Sequence, residues 1–134
     1  MTRPDQIEGY TFGRATHSPV TLEELDLLER TMQWSDEDER YLKLAREVLA
    51  NQAEAMVDAW RGVIASQPHL ARYSAFPDGR SNAAYSAASK PRFIRWVTDV
   101  FTRPRDQAWL DYQQEIGLRH TREKKNRTDQ AESA

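Results

Sequence analysis

A chain of 134 residues has room for one domain with its own core and too little for two of normal size. With 39% hydrophobic and 30% charged residues, only five glycines and no sustained β-branched alternation, helix is the expected class. The formal charge of −2 gives no reason to expect general nucleic-acid affinity, and the lack of cysteine excludes disulfides, cysteine-ligated zinc and iron–sulfur clusters.

The opening Met1-Thr2-Arg3-Pro4-Asp5-Gln6 is polar and leads into no apolar block, so no signal peptide is expected. No apolar run is long enough to cross a bilayer, and the expected compartment is the cytosol. Asn126-Arg127-Thr128 matches a glycosylation acceptor, a match that is empty without secretion.

Residues 1–20 form an N-terminal extension without helical period, broken by Pro4, Gly9, Gly13 and Pro19. Tyr10 and Phe12 predict that it packs on the body of the protein. Thr21-Leu22-Glu23-Glu24 reads as a capping box opening a short helix with Leu22, Leu25 and Met32 on its inner side. Ser35-Asp36-Glu37-Asp38 is a second helix start, its acids facing the positive end of the helix dipole. A helical period then runs through Tyr41, Leu44, Ala45, Val48, Leu49, Ala53, Met56, Trp60, Val63 and Ile64. It fits one long or kinked helix, or two that abut near Ala50-Asn51.

Pro68 ends that element, and Phe76-Pro77-Asp78-Gly79 is a turn. The alanines after Ser81-Asn82 favour helix, but Pro91 argues for a start at Ser89 with the proline in the first turn. Phe93, Trp96, Val97, Val100 and Phe101 make the apolar stripe of that helix. Asp106 is a cap for the next, which carries Trp109, Gln113, Ile116 and His120 within an arc of roughly 60° at 3.6 residues per turn. Residues 128–134 are a polar tail. The expectation is four or five helices in a single domain.

His120 on such a stripe faces inward and needs a partner: a carbonyl, a carboxylate or a metal. From pattern alone a satisfied structural histidine is the commoner outcome. Gly117, inside the same helix, costs about 1 kcal/mol against alanine and would let something flat approach the backbone; its plainer reading is a C-cap that leaves His120 just past the helix end. Trp60, Ile64, Phe93 and Val97 are apolar enough to line a pocket, or simply to form a core. His17, His69 and His120 lack the spacing of a zinc pair, and neither a nucleophile motif nor a phosphate loop is present, so no enzymatic role is expected. The basic Arg119, Arg122, Lys124, Lys125 and Arg127 are interleaved with acids and read as a solvated helix end rather than a nucleic-acid surface.

The run Asp106-Gln107-Ala108-Trp109-Leu110-Asp111-Tyr112-Gln113, continuing through Glu115-Ile116-Gly117-Leu118-Arg119-His120 to Lys124-Lys125-Asn126-Arg127-Thr128-Asp129, closely resembles protoglobins, relatives of the sensor domains of globin-coupled sensors. Ile7-Glu8-Gly9-Tyr10-Thr11-Phe12-Gly13, Ser18-Pro19-Val20 and Pro77-Asp78-Gly79 extend the resemblance through the N-terminal half. It implies an all-α, globin-like fold holding haem b. His120 would be the proximal iron ligand, and Trp60, Arg61, Ile64, Phe93, Val97 and Ile116 would line the haem. A diatomic gas (dioxygen, carbon monoxide or nitric oxide) would be the ligand.

Departures from the family are specific. Arg61 stands where a distal tyrosine is common; its guanidinium could reach bound gas or turn to a propionate. Ser74 replaces a phenylalanine, with Phe76 nearby, and Pro91 sits beside Phe93. The family continues with two further long helices, whereas this sequence stops at Ala134, so a domain truncated after the proximal-histidine helix is expected. Either haem binding is weakened, or a homodimer or partner chain completes the pocket. The rival expectations are a helical interaction module presenting Trp96, Trp109 and Ile116, and the input domain of a gas sensor acting through a separate partner.

Overall fold

The computed structural model describes residues 7–121 and Lys124. Its helices are α1 (Leu22–Thr31), α2 (Asp36–Leu49), α3 (Ala53–Ala65), the one-turn α4 (Pro68–Ala71), α5 (Ala83–Thr102) and α6 (Gln107–Arg119). The all-α expectation is met, and the only pairing of extended backbone among the described residues is an isolated bridge between Ala75 and Ser81. No helix among them is long and apolar enough to cross a membrane.

The helix starts follow the capping chemistry in the sequence. Thr21 Oγ1 accepts from the Glu24 amide at 3.1 Å while Glu24 accepts from the Thr21 amide at 2.9 Å. Ser35 and Asp38 form the second box, and Asp106 Oδ1 accepts from the Trp109 amide at 3.0 Å. Between α2 and α3 the chain tightens into one 3₁₀ turn, Ala50–Gln52, so the long apolar period is two helices that abut.

The start of α5 corrects the sequence reading. Asn82, not Ser89, is the cap, its Oδ1 taking the Tyr85 amide at 3.0 Å, and Pro91 lies inside the helix. The proline is tolerated because it is exposed and α5 is fastened to α3 by the two residues just before it. Lys90 Nζ lies 2.9 Å from Asp58 and 3.2 Å from Glu54, and the Arg61 guanidinium bonds Ser89. Tertiary packing outweighs the local cost.

Fully buried apolar side chains fall into two groups. Ala53 and Val57 face α5 from α3, and Tyr10, Leu110 and Tyr112 join the N-terminal segment to α6. Tyr10, Phe12 and Tyr112 pack ring on ring, with centroids 5.2 to 6.1 Å apart. Burial pushes the Tyr112 phenol up to about 12. Leu22 at the start of α1 and Met32 at its C-cap are exposed rather than inward, and Leu25 is half-buried. Tyr41, Leu44, Val48 and Val63 of the long apolar stripe are also exposed.

A buried charge cluster locks the N-terminal segment onto α5. Asp99, only 2% exposed, accepts from the Tyr10 hydroxyl and from Arg103 Nε at 3.3 Å. Arg95 Nε stands 3.0 Å from the same carboxylate as an ion pair without hydrogen-bond alignment. The Arg103 guanidinium lies 3.9 Å over the Phe12 ring, and Arg92 donates to the Glu8 carbonyl at 3.2 Å. A second knot ties the α5–α6 connection to the α1–α2 corner: Arg105 pairs with Glu29 and Glu39, and Trp34 Nε1 donates to Glu39 at 2.8 Å.

Candidate functional site

His120 is the residue on which the site depends, and its surroundings differ from the inward-facing expectation. Helix α6 ends at Arg119, and His120 is its C-cap, with φ −99° and ψ 5° and an exposed ring. The buried residues of α6, Leu110, Asp111 and Tyr112, are consecutive and lie in its first half, where Tyr10 and Phe12 pack on Tyr112; Trp109, Gln113 and Ile116 are half-buried, and His120 stands past the last turn. The C-cap reading of this helix end is therefore correct for His120, while Gly117 stays inside the helix.

The imidazole is nonetheless fixed. Its Nδ1 lies 2.7 Å from the Ile116 carbonyl, one turn back. A carbonyl only accepts, so Nδ1 carries a proton, and in the neutral ring the free lone pair is on Nε2. A metal-ligating histidine is usually held in this way, its second nitrogen donating to a carbonyl. The donor set fits a metal ligand, and the ring's exposure leaves Nε2 open to one.

The turn carrying His120 is pinned from outside. Arg119 Nε bonds Glu115 at 3.1 Å while its Nη2 reaches Thr11 Oγ1 at 3.2 Å, and Lys124 Nζ bonds Glu115 at 2.7 Å. Burial alone would raise the Glu115 carboxyl, but the hydrogen bonds from Lys124 and Arg119 outweigh it and hold the group below the usual range. Two cations, Arg119 and Lys124, thus share the Glu115 carboxylate. Arg122, Lys125 and Arg127 of the same basic run lie outside the described residues.

The other predicted site residues come from α3 and α5. Val57 and Ala53 take the buried line of α3, which places Arg61 and Ile64 half-buried beside it and leaves Trp60 at the edge, 55% exposed. Arg61 Nη2 donates to Ser89 Oγ at 3.2 Å, one helical turn before Phe93. Phe93 and Val97 are half-buried, and the Phe93 ring is 6.1 Å from that of Trp96. Trp96 Nε1 in turn donates to Gln113 Oε1 at 3.2 Å, which links α5 to α6 within one turn of Ile116. Contacts thus run from Arg61 through α5 to α6, whereas the hydrogen bonds of His120 stay within α6. The surface formed by Trp96, Trp109 and Ile116 is not an exposed patch, since all three are half-buried; exposed apolar side chains stand instead on α1 (Leu22, Leu27, Leu28), on α2 (Tyr41, Leu44, Val48) and on α3 (Trp60, Val63), among others.

Two participants escape a hydropathy reading. Ser89 and Gln113 are polar residues on apolar faces, legible only as partners once Arg61 and Trp96 are seen to reach them. No group of three or more histidine, aspartate or glutamate side chains among the described residues could by itself hold a metal ion.

No curated protein matches the chain. The protoglobin family model matches residues 21–126, from the α1 cap to beyond His120. The chain belongs to the protoglobin family, a globin-like all-α fold.

Proposed function

We propose that this protein binds haem b through His120 and takes up a diatomic gas. The observation that carries the reading is the 2.7 Å contact of His120 Nδ1 with the Ile116 carbonyl, which presents Nε2 as a fixed, accessible ligand. Family membership supports the same cofactor. Bound haem would supply an iron centre with a coordination position for dioxygen, carbon monoxide or nitric oxide. The chain's own part is to ligate through His120 and to cover the macrocycle with Trp60, Ile64, Phe93, Val97 and Ile116. Trp60 is the most exposed of these apolar side chains, and covering it would add roughly 25 cal/mol for each Å² removed from water. No residue is assigned a catalytic role; the proposed activity is reversible binding.

The test is a visible spectrum of the purified protein titrated with haem. A Soret band that sharpens to saturation, shifts under carbon monoxide and is lost or altered in His120→Ala supports the reading. No band, or one indifferent to His120→Ala, overturns it.

The exposed apolar row on α2 and α3 supports a second reading, in which the same helices serve as an interaction module or sensor input that pairs with another copy or a partner chain. Sedimentation without haem separates the two: a folded, haem-free monomer counts against the module.

A further inference from the structure

Half-buried arginines in this fold share a pattern from which one departs. Arg95 and Arg103 share Asp99, Arg105 pairs with Glu29 and Glu39, and Arg119 pairs with Glu115. Arg61 is also half-buried, but its described partner is the neutral hydroxyl of Ser89. The nearest acids in sequence on its own helix are already taken, Asp58 and Glu54 both pairing with Lys90. Among the described residues no carboxylate lies within ion-pair distance of Arg61.

The guanidinium is held rather than loose. Ser89 spends its own proton on the Ser86 carbonyl at 3.3 Å, which leaves its oxygen lone pairs for Arg61 Nη2. That single bond fixes one corner of the planar fork, and the other N–H donors meet no described acceptor in the protein. A cation partly withdrawn from water and lacking a counter-charge carries a desolvation cost that an anion would relieve. A forked guanidinium matches a carboxylate by two parallel hydrogen bonds. Trp60 is its exposed neighbour in sequence, Ile64 follows one turn later, and Phe93 lies one turn beyond Ser89, so apolar and aromatic surface adjoins the charge.

We propose that Arg61 is an anion-recognition residue, positioned by Ser89 to take the carboxylate of a ligand whose apolar body lies against the α3–α5 face. It deepens and rests on the haem reading, in which the carboxylate is a haem propionate; a free small carboxylate offers the same chemistry.

Haem and its dimethyl ester, which lacks the negative charges, are titrated into wild type, Arg61→Leu and Arg61→Lys and followed at the Soret band. In parallel, the Arg61 Nε–H resonance of the haem-free protein is followed while sodium propionate is added. The proposal expects wild type to prefer haem over the ester by about tenfold, Arg61→Leu to lose that preference, and Arg61→Lys to keep part of it. A saturable shift of the Arg61 resonance with propionate, without an ester effect, assigns the site to a free carboxylate. An undiminished preference in Arg61→Leu together with a still Arg61 resonance overturns the proposal. Absence of a Soret band in wild type overturns the haem reading instead, and the propionate titration then decides Arg61 alone. Circular dichroism of each variant shows whether its fold is intact, and Ser89→Ala, which keeps the charge but frees the fork, is expected to weaken the preference only partly.

Discussion

The Tyr10 hydroxyl donates to the Asp99 carboxylate across eighty-nine positions of sequence, and this bond closes the N-terminal segment over the α5–α6 pair. Tyr112, against whose ring Tyr10 packs edge-on, is buried as deeply but has no described hydrogen-bond partner for its hydroxyl. The two phenols should therefore respond oppositely to loss of the oxygen. Tyr10→Phe deprives a buried carboxylate of a donor and is expected to cost about 2 kcal/mol in a denaturant melt. Tyr112→Phe removes a group that is buried without compensation and should be neutral or stabilising. No loss in Tyr10→Phe, which keeps the ring, would mean that ring packing alone, not the bond to Asp99, holds the segment.

Asp111 fastens the same segment further along. The Ser18 amide at 2.7 Å, then the Gln107 amide group and His17, hold its carboxyl below the usual aspartate range. A depressed folded value means that the contribution to stability is present above the unfolded value, near 3.8, and is lost as pH falls through the folded one. The Ser18 amide proton should move upfield in an NMR titration with a midpoint below 3.8, and Asp111→Asn should abolish the step. A midpoint at or above 3.8 would show that Ser18 does not favour the ionised carboxylate.

Capping residues and turn chemistry were legible because they act locally: Thr21 and Asp106 each accept from an amide three residues on, and Asp38 accepts from the Ser35 amide. What escaped is what depends on distant partners. Arg95, Asp99 and Arg103 recur at four-residue spacing, a visible sign of a charge ladder on α5, yet only Tyr10 and Phe12 folding back explain why Asp99 is buried beside an apolar stripe. Among the candidate site residues, the C-cap reading already set His120 past the end of α6, but which part of that helix is covered was not legible, since it depends on Tyr10 and Phe12 folding back onto Tyr112.

Pro91 tests how far tertiary contacts override local preference. It removes one amide from the interior of α5, while its ring faces solvent and its neighbours Ser89 and Lys90 anchor the helix to α3. Pro91→Ala restores the backbone bond and relieves the ring's clash, against a smaller loss from a freer unfolded chain. The net gain expected in equilibrium unfolding is about 2 kcal/mol. A variant no more stable than wild type would show that α5 has already bent to accommodate the proline, with the α3 contacts set to the bent axis.

Gly117 separates the stability of the helix from the use of its surface. It lies inside α6, is exposed, and a Cβ built there meets no heavy atom within 4 Å. In the protein without cofactor, Gly117→Ala should therefore stabilise the helix by about 1 kcal/mol, raising the melting temperature by about 4 °C. The proposed haem, however, is ligated by His120 three residues later, on the side where Ile116 is half-buried. If a flat group comes close to the α6 backbone there, the added methyl takes up part of the space it needs. The variant is then expected to melt higher but bind haem at least several-fold more weakly. Higher melting with unchanged haem affinity would place the macrocycle clear of the Gly117 backbone, and the glycine would then be only a helix defect.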